Sequence, residues 1–218
     1  MPELSLIQIT MVEGNDSGYV MDEPKRRPYL GSCYCGFTRY IAWLTLPPQV
    51  PYQHADPPVQ MFRKCNCTHC HKLGFFHIRL TNSPKDFALL SPLDPLKDLA
   101  DSPTTGGHSL FCKTCGVRCF FIEGEGEINE IDLVAAGVDL KKAKVEGNGT
   151  KVKVFQPKAE GWQEEKKDWF RVNAMTLDAR QEGLDLREWT EKKWIQYVNQ
   201  LDEVQGCDYE RPYSGGAY

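Results

Sequence analysis

Seven of the nine cysteines in this 218-residue chain fall in three tight clusters. Cys33 and Cys35 stand in GSCYCG, Cys65, Cys67 and Cys70 in KCNCTHCHK, and Cys112 with Cys115 in HSLFCKTCGV. Thiolates at CxC and CxxC spacing reach one metal ion from a single turn of chain, and structural zinc closes its tetrahedron with four such ligands. Seven thiols are one short of two closed sites. One partition joins Cys67 and Cys70 to Cys112 and Cys115 as a ribbon of two CxxC knuckles, but it strands Cys33, Cys35 and Cys65. The other, preferred because it uses every clustered thiol, closes Cys33, Cys35, Cys112 and Cys115 around one ion and leaves Cys65, Cys67 and Cys70 around a second.

The two sites then differ in chemistry. A closed four-thiolate site staples distant parts of the chain and supplies on the order of 10 kcal/mol, comparable with a whole domain's stability. Three thiolates on a divalent ion leave one coordination position for water, hydroxide or a substrate's sulfur or oxygen, as catalytic zinc sites do. The bland alternative is that His69, His71 or His77 completes the tetrahedron. The same histidines are the nearest groups for acid–base work, with His71 the first candidate. Arg63, Lys64, Lys72 and Arg79 surround the trio and suit a carboxylate-bearing ligand, although such a cluster is also an ordinary solvated face. His108 is expected to support the closed site from behind, Cys119 to be a small core residue, and Cys207 to lie unpartnered in the tail.

These ligands need a frame of strands. The runs ELSLIQITMV at 3–12, FTRYIAWLTL, FFHIRLT and DWFRVNAMTLD have strand composition, and HSLFCKTCGVRCFFIEG reads as two strands joined by a CxxCG turn with Gly116 at positive φ. Residues 14–30, the proline-rich PPQVPYQHADPP and about 82–107 read as loops, and 123–168 as an insertion with short strands at LVAAGV and KVKVF. DLREWTEKKWIQYVNQLDEV is expected to be a helix. Asp185 and Glu188 form a capping-box-like start, and Leu186, Trp189, Trp194, Val198 and Leu201 an approximate apolar stripe. The expectation is a mainly β domain over 31–180, preceded by an N-terminal strand and linker at 1–30. A C-terminal helix at 181–205 packs on it, and a mobile tail follows at 206–218.

The order GSCYCG, CNCTHCHK, HSLFCKTCGV and VNAMTLD resembles the glutathione-dependent formaldehyde-activating enzyme family, which includes centromere protein V. The likeness spans roughly residues 30–180 apart from the proline-rich loop and the insertion. It implies a β-tent fold, a closed zinc on Cys33, Cys35, Cys112 and Cys115, and a second zinc on Cys65, Cys67 and Cys70. It also implies a carbon–sulfur lyase activity, the reversible condensation of formaldehyde with glutathione, with glutathione or another small thiol as co-substrate. The long loop, the insertion and the C-terminal segment depart from compact members and leave the identity of the thiol and of the carbonyl open. The alternative is a non-catalytic, zinc-stabilised module that binds protein or chromatin.

Composition narrows the partners. Lys plus Arg is 26 against 30 for Asp plus Glu, a net charge of -4, so no global basic field favours nucleic acid. No apolar run reaches the ~18 residues of a membrane span, and the N-terminus lacks the features of a secretion signal. The expectation is a cytoplasmic or nuclear protein whose cysteines bind metal rather than form disulfides. Oligomeric state is open at this stage.

Overall fold

A computed structural model describes residues 23–50, 59–104, 107–146, 149–159, 170–202 and 206–216. The strand expected at 3–12 and most of the proline-rich loop lie outside those residues. In chain order the elements begin with β1 (Lys25–Ser32), β2 (Arg39–Leu46), β3 (Met61–Cys65), α1 (Thr68–Leu73), β4 (His77–Arg79), α2 (Ser83–Asp86) and β5 (Phe87–Ser91). Next come α3 (Pro95–Asp98), β6 (Ala100–Thr104), β7 (Gly107–Phe111), β8 (Phe120–Ile122), β9 (Gly126–Asp132) and β10 (Lys151–Pro157). The last are β11 (Phe170–Asn173), α4 (Leu186–Glu191), β12 (Ile195–Asn199) and β13 (Gly206–Asp208). The protein is mainly β, as its sequence suggests.

The strands form two sheets, one ordered β1-β2-β5-β10-β9 and the other β13-β12-β3-β4-β11-β8-β7-β6. Alternation explains how they pack. Tyr29, Tyr40, Ala42, Leu44, Phe87, Leu89 and Phe155 of the first sheet meet Phe62, Ile78, Phe120, Ile122, Phe170, Val172, Ile195 and Tyr197 of the second in one core. The other face of the first sheet is also covered. Ile41, Trp43, Ala88 and Val154 pack there against Leu133, Val138 and Ala143, which is why β2 is buried along nearly its whole length.

Several expectations are corrected. The linker expected to run to residue 30 contains most of β1, which pairs with β2 over all eight residues. The loop expected at 82–107 holds α2, β5, α3 and β6. The stretch expected as an insertion supplies β9 and β10, and β10 pairs with β5 through Phe155 and Leu89, so it is integral to the first sheet. LVAAGV is a turn rather than a strand; its apolar residues serve as the lid over Trp43, whose indole N–H donates to the Ala136 carbonyl.

The C-terminal helix is the largest correction. Asp185 does cap it, accepting from the Arg187 amide at 2.9 Å, but the helix ends at Glu191 and Lys193 adopts φ 56. Residues 195–199 then form β12, parallel to β3. Trp194, Val198 and Leu201 fit a helical stripe only roughly, whereas Ile195 and Tyr197 alternate into the core and Gln196 and Val198 away from it. Burial of that alternating pair against the sheet decides in favour of strand. The tail expected to be mobile supplies β13, paired with β12, and the Ser214 carbonyl accepts a hydrogen bond from Asn66.

Candidate metal centres

Two matched turns build the first centre. After β1 the chain doubles back at Cys33–Thr38, with Gly36 at φ 78 donating to the Cys33 carbonyl. After β7 it does so at Cys112–Val117, with Gly116 at φ 73 donating to the Cys112 carbonyl. Positive φ at these two positions lets each knuckle present both its sulfurs inward. All four sulfurs of Cys33, Cys35, Cys112 and Cys115 lie within 4.8 Å of one another, with Cys35–Cys112 at 3.5 Å and Cys33–Cys35 at 3.6 Å. A tetrahedron with Zn–S of about 2.3 Å places its sulfurs about 3.8 Å apart. The donor set therefore fits a four-thiolate ion, and it staples the β1–β2 hairpin of one sheet to the β7–β8 pair of the other. His108 does not stand behind it; its Nδ1 lies 2.7 Å from Asp101 Oδ2 at the surface.

The second centre is built by the end of β3 and the start of α1. Cys65 closes β3, Cys67 caps α1 and Cys70 lies in its first turn, buried. The three sulfurs lie within 4.8 Å of one another, and among the described residues no imidazole or carboxylate joins them within that mutual distance. Backbone amides already point at two of them: Cys67 N–H donates to Cys65 Sγ and Cys70 N–H to Cys67 Sγ, each at 3.4 Å. Thiols this close share protons. A hydrogen bond from Cys70, aided by the Cys67 amide, brings Cys65 down to about 6, while that same bond and burial push Cys70 up. A cluster that favours thiolate character at one sulfur and burdens its neighbour is suited to a cation that relieves all three.

A cavity of about 1030 Å³ opens over this trio. Its floor is the face of the eight-stranded sheet that turns away from the core. Cross-strand register sets one row as Met61, Arg79, Arg171 and Phe121 and the next as Arg63, His77 and Asn173. All but Asn173 line the cavity, with Cys65, Cys67, Cys70, His69, Phe75 and Glu123 among the rest of its wall. Of the basic residues expected near the trio, Arg63 and Arg79 face this space. Lys64 lies 5.0 Å over the Phe76 ring instead, and Lys72 is exposed on α1 and is not part of the wall. Arg171 was not foreseen; the signal was its place between Phe170 and Val172, whose burial sends the intervening side chain to the opposite face.

The histidines separate in the same way. His71 is exposed on α1 and does not line the cavity, because the immediate neighbour of an inward Cys70 points outward on a helix. His69 and His77 do line it. Burial, with Arg118 adding, lowers the pKa of His69. Burial, with Arg171 and Arg63 adding, holds His77 at about 3 and its ring neutral.

Comparison with protein-family models, with curated proteins and with solved structures gives no match to this chain. Among the described residues, no helix is long and apolar enough to cross a membrane.

Proposed function

We propose that the protein is a zinc-dependent carbon–sulfur lyase acting on an anionic thiol adduct, a hemithioacetal of the S-hydroxymethyl type, at Cys65, Cys67 and Cys70. The observation that carries this reading is the contrast between the two thiol clusters. One has four sulfurs, enough to complete a tetrahedron, whereas the other has three and faces a cavity of about 1030 Å³. The order of the cysteine motifs, similar to that of the formaldehyde-activating family, points to the reaction class. A zinc ion held by Cys65, Cys67 and Cys70 would supply a Lewis acid able to lower the pKa of a substrate thiol and to stabilise it as a leaving group.

The chain's own residues do the rest. Arg79 and Arg171 are direct cross-strand neighbours and both line the cavity, so their guanidiniums can meet a carboxylate there. Both guanidiniums are positioned: Arg79 Nε and Nη2 donate to the Val59 carbonyl, and Arg171 lies 5.5 Å over the Phe121 ring. With Arg63, whose Nε donates to Gln196 Oε1 at 3.0 Å, they form a platform for the carboxylates of a substrate such as glutathione. Met61, Phe75 and Phe121 supply the apolar wall that keeps water from the carbonyl product. In the breakdown direction the C–S electron pair moves to sulfur as the carbon oxygen becomes a carbonyl, and the hydroxyl proton is released. His69, on the cavity wall, is the imidazole assigned to receive it.

The test is turnover of a panel of hemithioacetals formed from glutathione and other thiols with formaldehyde and larger aldehydes. Zinc-loaded protein should accelerate formation and breakdown alike, and Cys67→Ser should abolish both while leaving the fold intact. A protein carrying two zinc ions that neither turns over nor binds any adduct in the panel would overturn the proposal.

A further inference from the structure

His77 decides whether the second centre is open. Its Nε2 lies 3.0 Å from Cys70 Sγ, and its other ring nitrogen, Nδ1, is buried with no hydrogen-bond partner. A neutral imidazole carries one N–H and one lone pair. With the proton on Nδ1, a buried donor would be orphaned and the Nε2 lone pair would face the electron-rich sulfur. With the proton on Nε2, the N–H donates to Cys70 and only an acceptor is left without a partner. Orphaned buried N–H groups are the rarer and costlier case, so the second tautomer is favoured. That tautomer has no lone pair on Nε2 to offer a metal ion.

The surroundings hold this arrangement in place. His77 belongs to β4 and sits in register between Arg63 of β3 and Asn173 of β11, so its backbone is paired on both sides. Its ring packs on Phe75 with centroids 4.7 Å apart. Neither of its nitrogens joins the three sulfurs within their mutual 4.8 Å, as a fourth ligand would. We infer that His77 is a positioning residue: it donates Nε2–H to the Cys70 sulfur, fixes that ligand's direction, draws charge from it and leaves the fourth coordination position to the substrate. The inference rests on the reading of the trio as a metal site.

The experiment uses the full chain loaded with zinc and labelled with nitrogen-15 at histidine. Metal content is counted first, in wild type and Cys67→Ser. Two zinc ions falling to one confirm that the trio is loaded, whereas a single zinc in both would sink the metal reading itself, separately from the role of His77. In the loaded protein, a long-range proton–nitrogen NMR spectrum should show the His77 proton on Nε2 and a bare Nδ1. A proton on Nδ1 with Nε2 shifted by metal would overturn the inference. Chelator competition gives the second readout. His77→Leu should weaken zinc at the trio about tenfold, the lower end for loss of a ligand's hydrogen-bond partner, and His77→Gln, which retains an N–H donor, should recover most of that loss. Equal affinity in wild type and His77→Leu would count against it.

Discussion

Asn66 illustrates how side chains that bind no metal set the geometry of the trio. It lies between Cys65 and Cys67, is buried, and spends its whole amide on neighbours. Nδ2 donates to Asn199 Oδ1 and to the Ser214 carbonyl, and Oδ1 accepts from the Gln200 and Leu201 amides. Asn66→Ala should therefore destabilise the protein by about 1–3 kcal/mol through stranded buried partners and loosen zinc at the trio. A thermal melt and chelator competition check both effects. At the cavity floor, Arg63→Met should raise KM for an anionic thiol adduct about tenfold with kcat little changed, since a hydrogen bond to a charged group contributes about 1.5–3 kcal/mol. Steady-state kinetics separates the two parameters. An unchanged KM would remove Arg63 from substrate binding.

At the scale of elements, α4 is short but its anchor is substantial. Trp189 is fully buried and stacks on Phe62 with centroids 3.9 Å apart, meeting Phe76 edge-on. Phe62 lies on β3, just before the strand delivers Cys65. Trp189→Ala should cost about 3–5 kcal/mol, read as a lower midpoint in urea unfolding with the slope retained. The same element marks the limit of what the sequence discloses. Knuckle turns are local, so the CxC and CxxC spacing, with Gly116 after the second pair, could be read directly, as could the apolar runs that become β2, β8 and β11. β12 could not, because so short a pattern as IQYVN fits both a helical stripe and an alternating strand, and only the space beside β3 chooses between them. β9 and β10 looked like an insertion for the same reason. Their charged outward residues mask the burial of Val154 and Phe155, which depends on pairing with β5. Of the site, the thiols were legible from spacing, whereas the arginine row was not, since Arg79 and Arg171 become neighbours only through β4–β11 register.

For the whole molecule, the proposed function divides structure from chemistry between the two thiol clusters. The four-cysteine site joins the two sheets at their β1–β2 and β7–β8 turns, and the trio sits on the outer face of the second sheet, beyond the shared core. Stripping metal with a strong chelator should thus act in two stages. The trio, with three protein sulfurs rather than four, empties first with the near-ultraviolet circular dichroism retained, and loss of the closed site follows with cooperative unfolding. Cys112→Ser should mimic the second stage and Cys67→Ser the first. The central claim, that one ion is closed off and the other keeps a position for a visiting thiol, is tested most directly by cadmium NMR of the fully substituted protein titrated with glutathione. Two resonances are predicted: one characteristic of four sulfur ligands and unmoved by the thiol, and one of three sulfurs plus a lighter ligand that shifts toward the first as the thiol adds its sulfur. A second resonance that is absent, or that ignores every added thiol, would contradict the account.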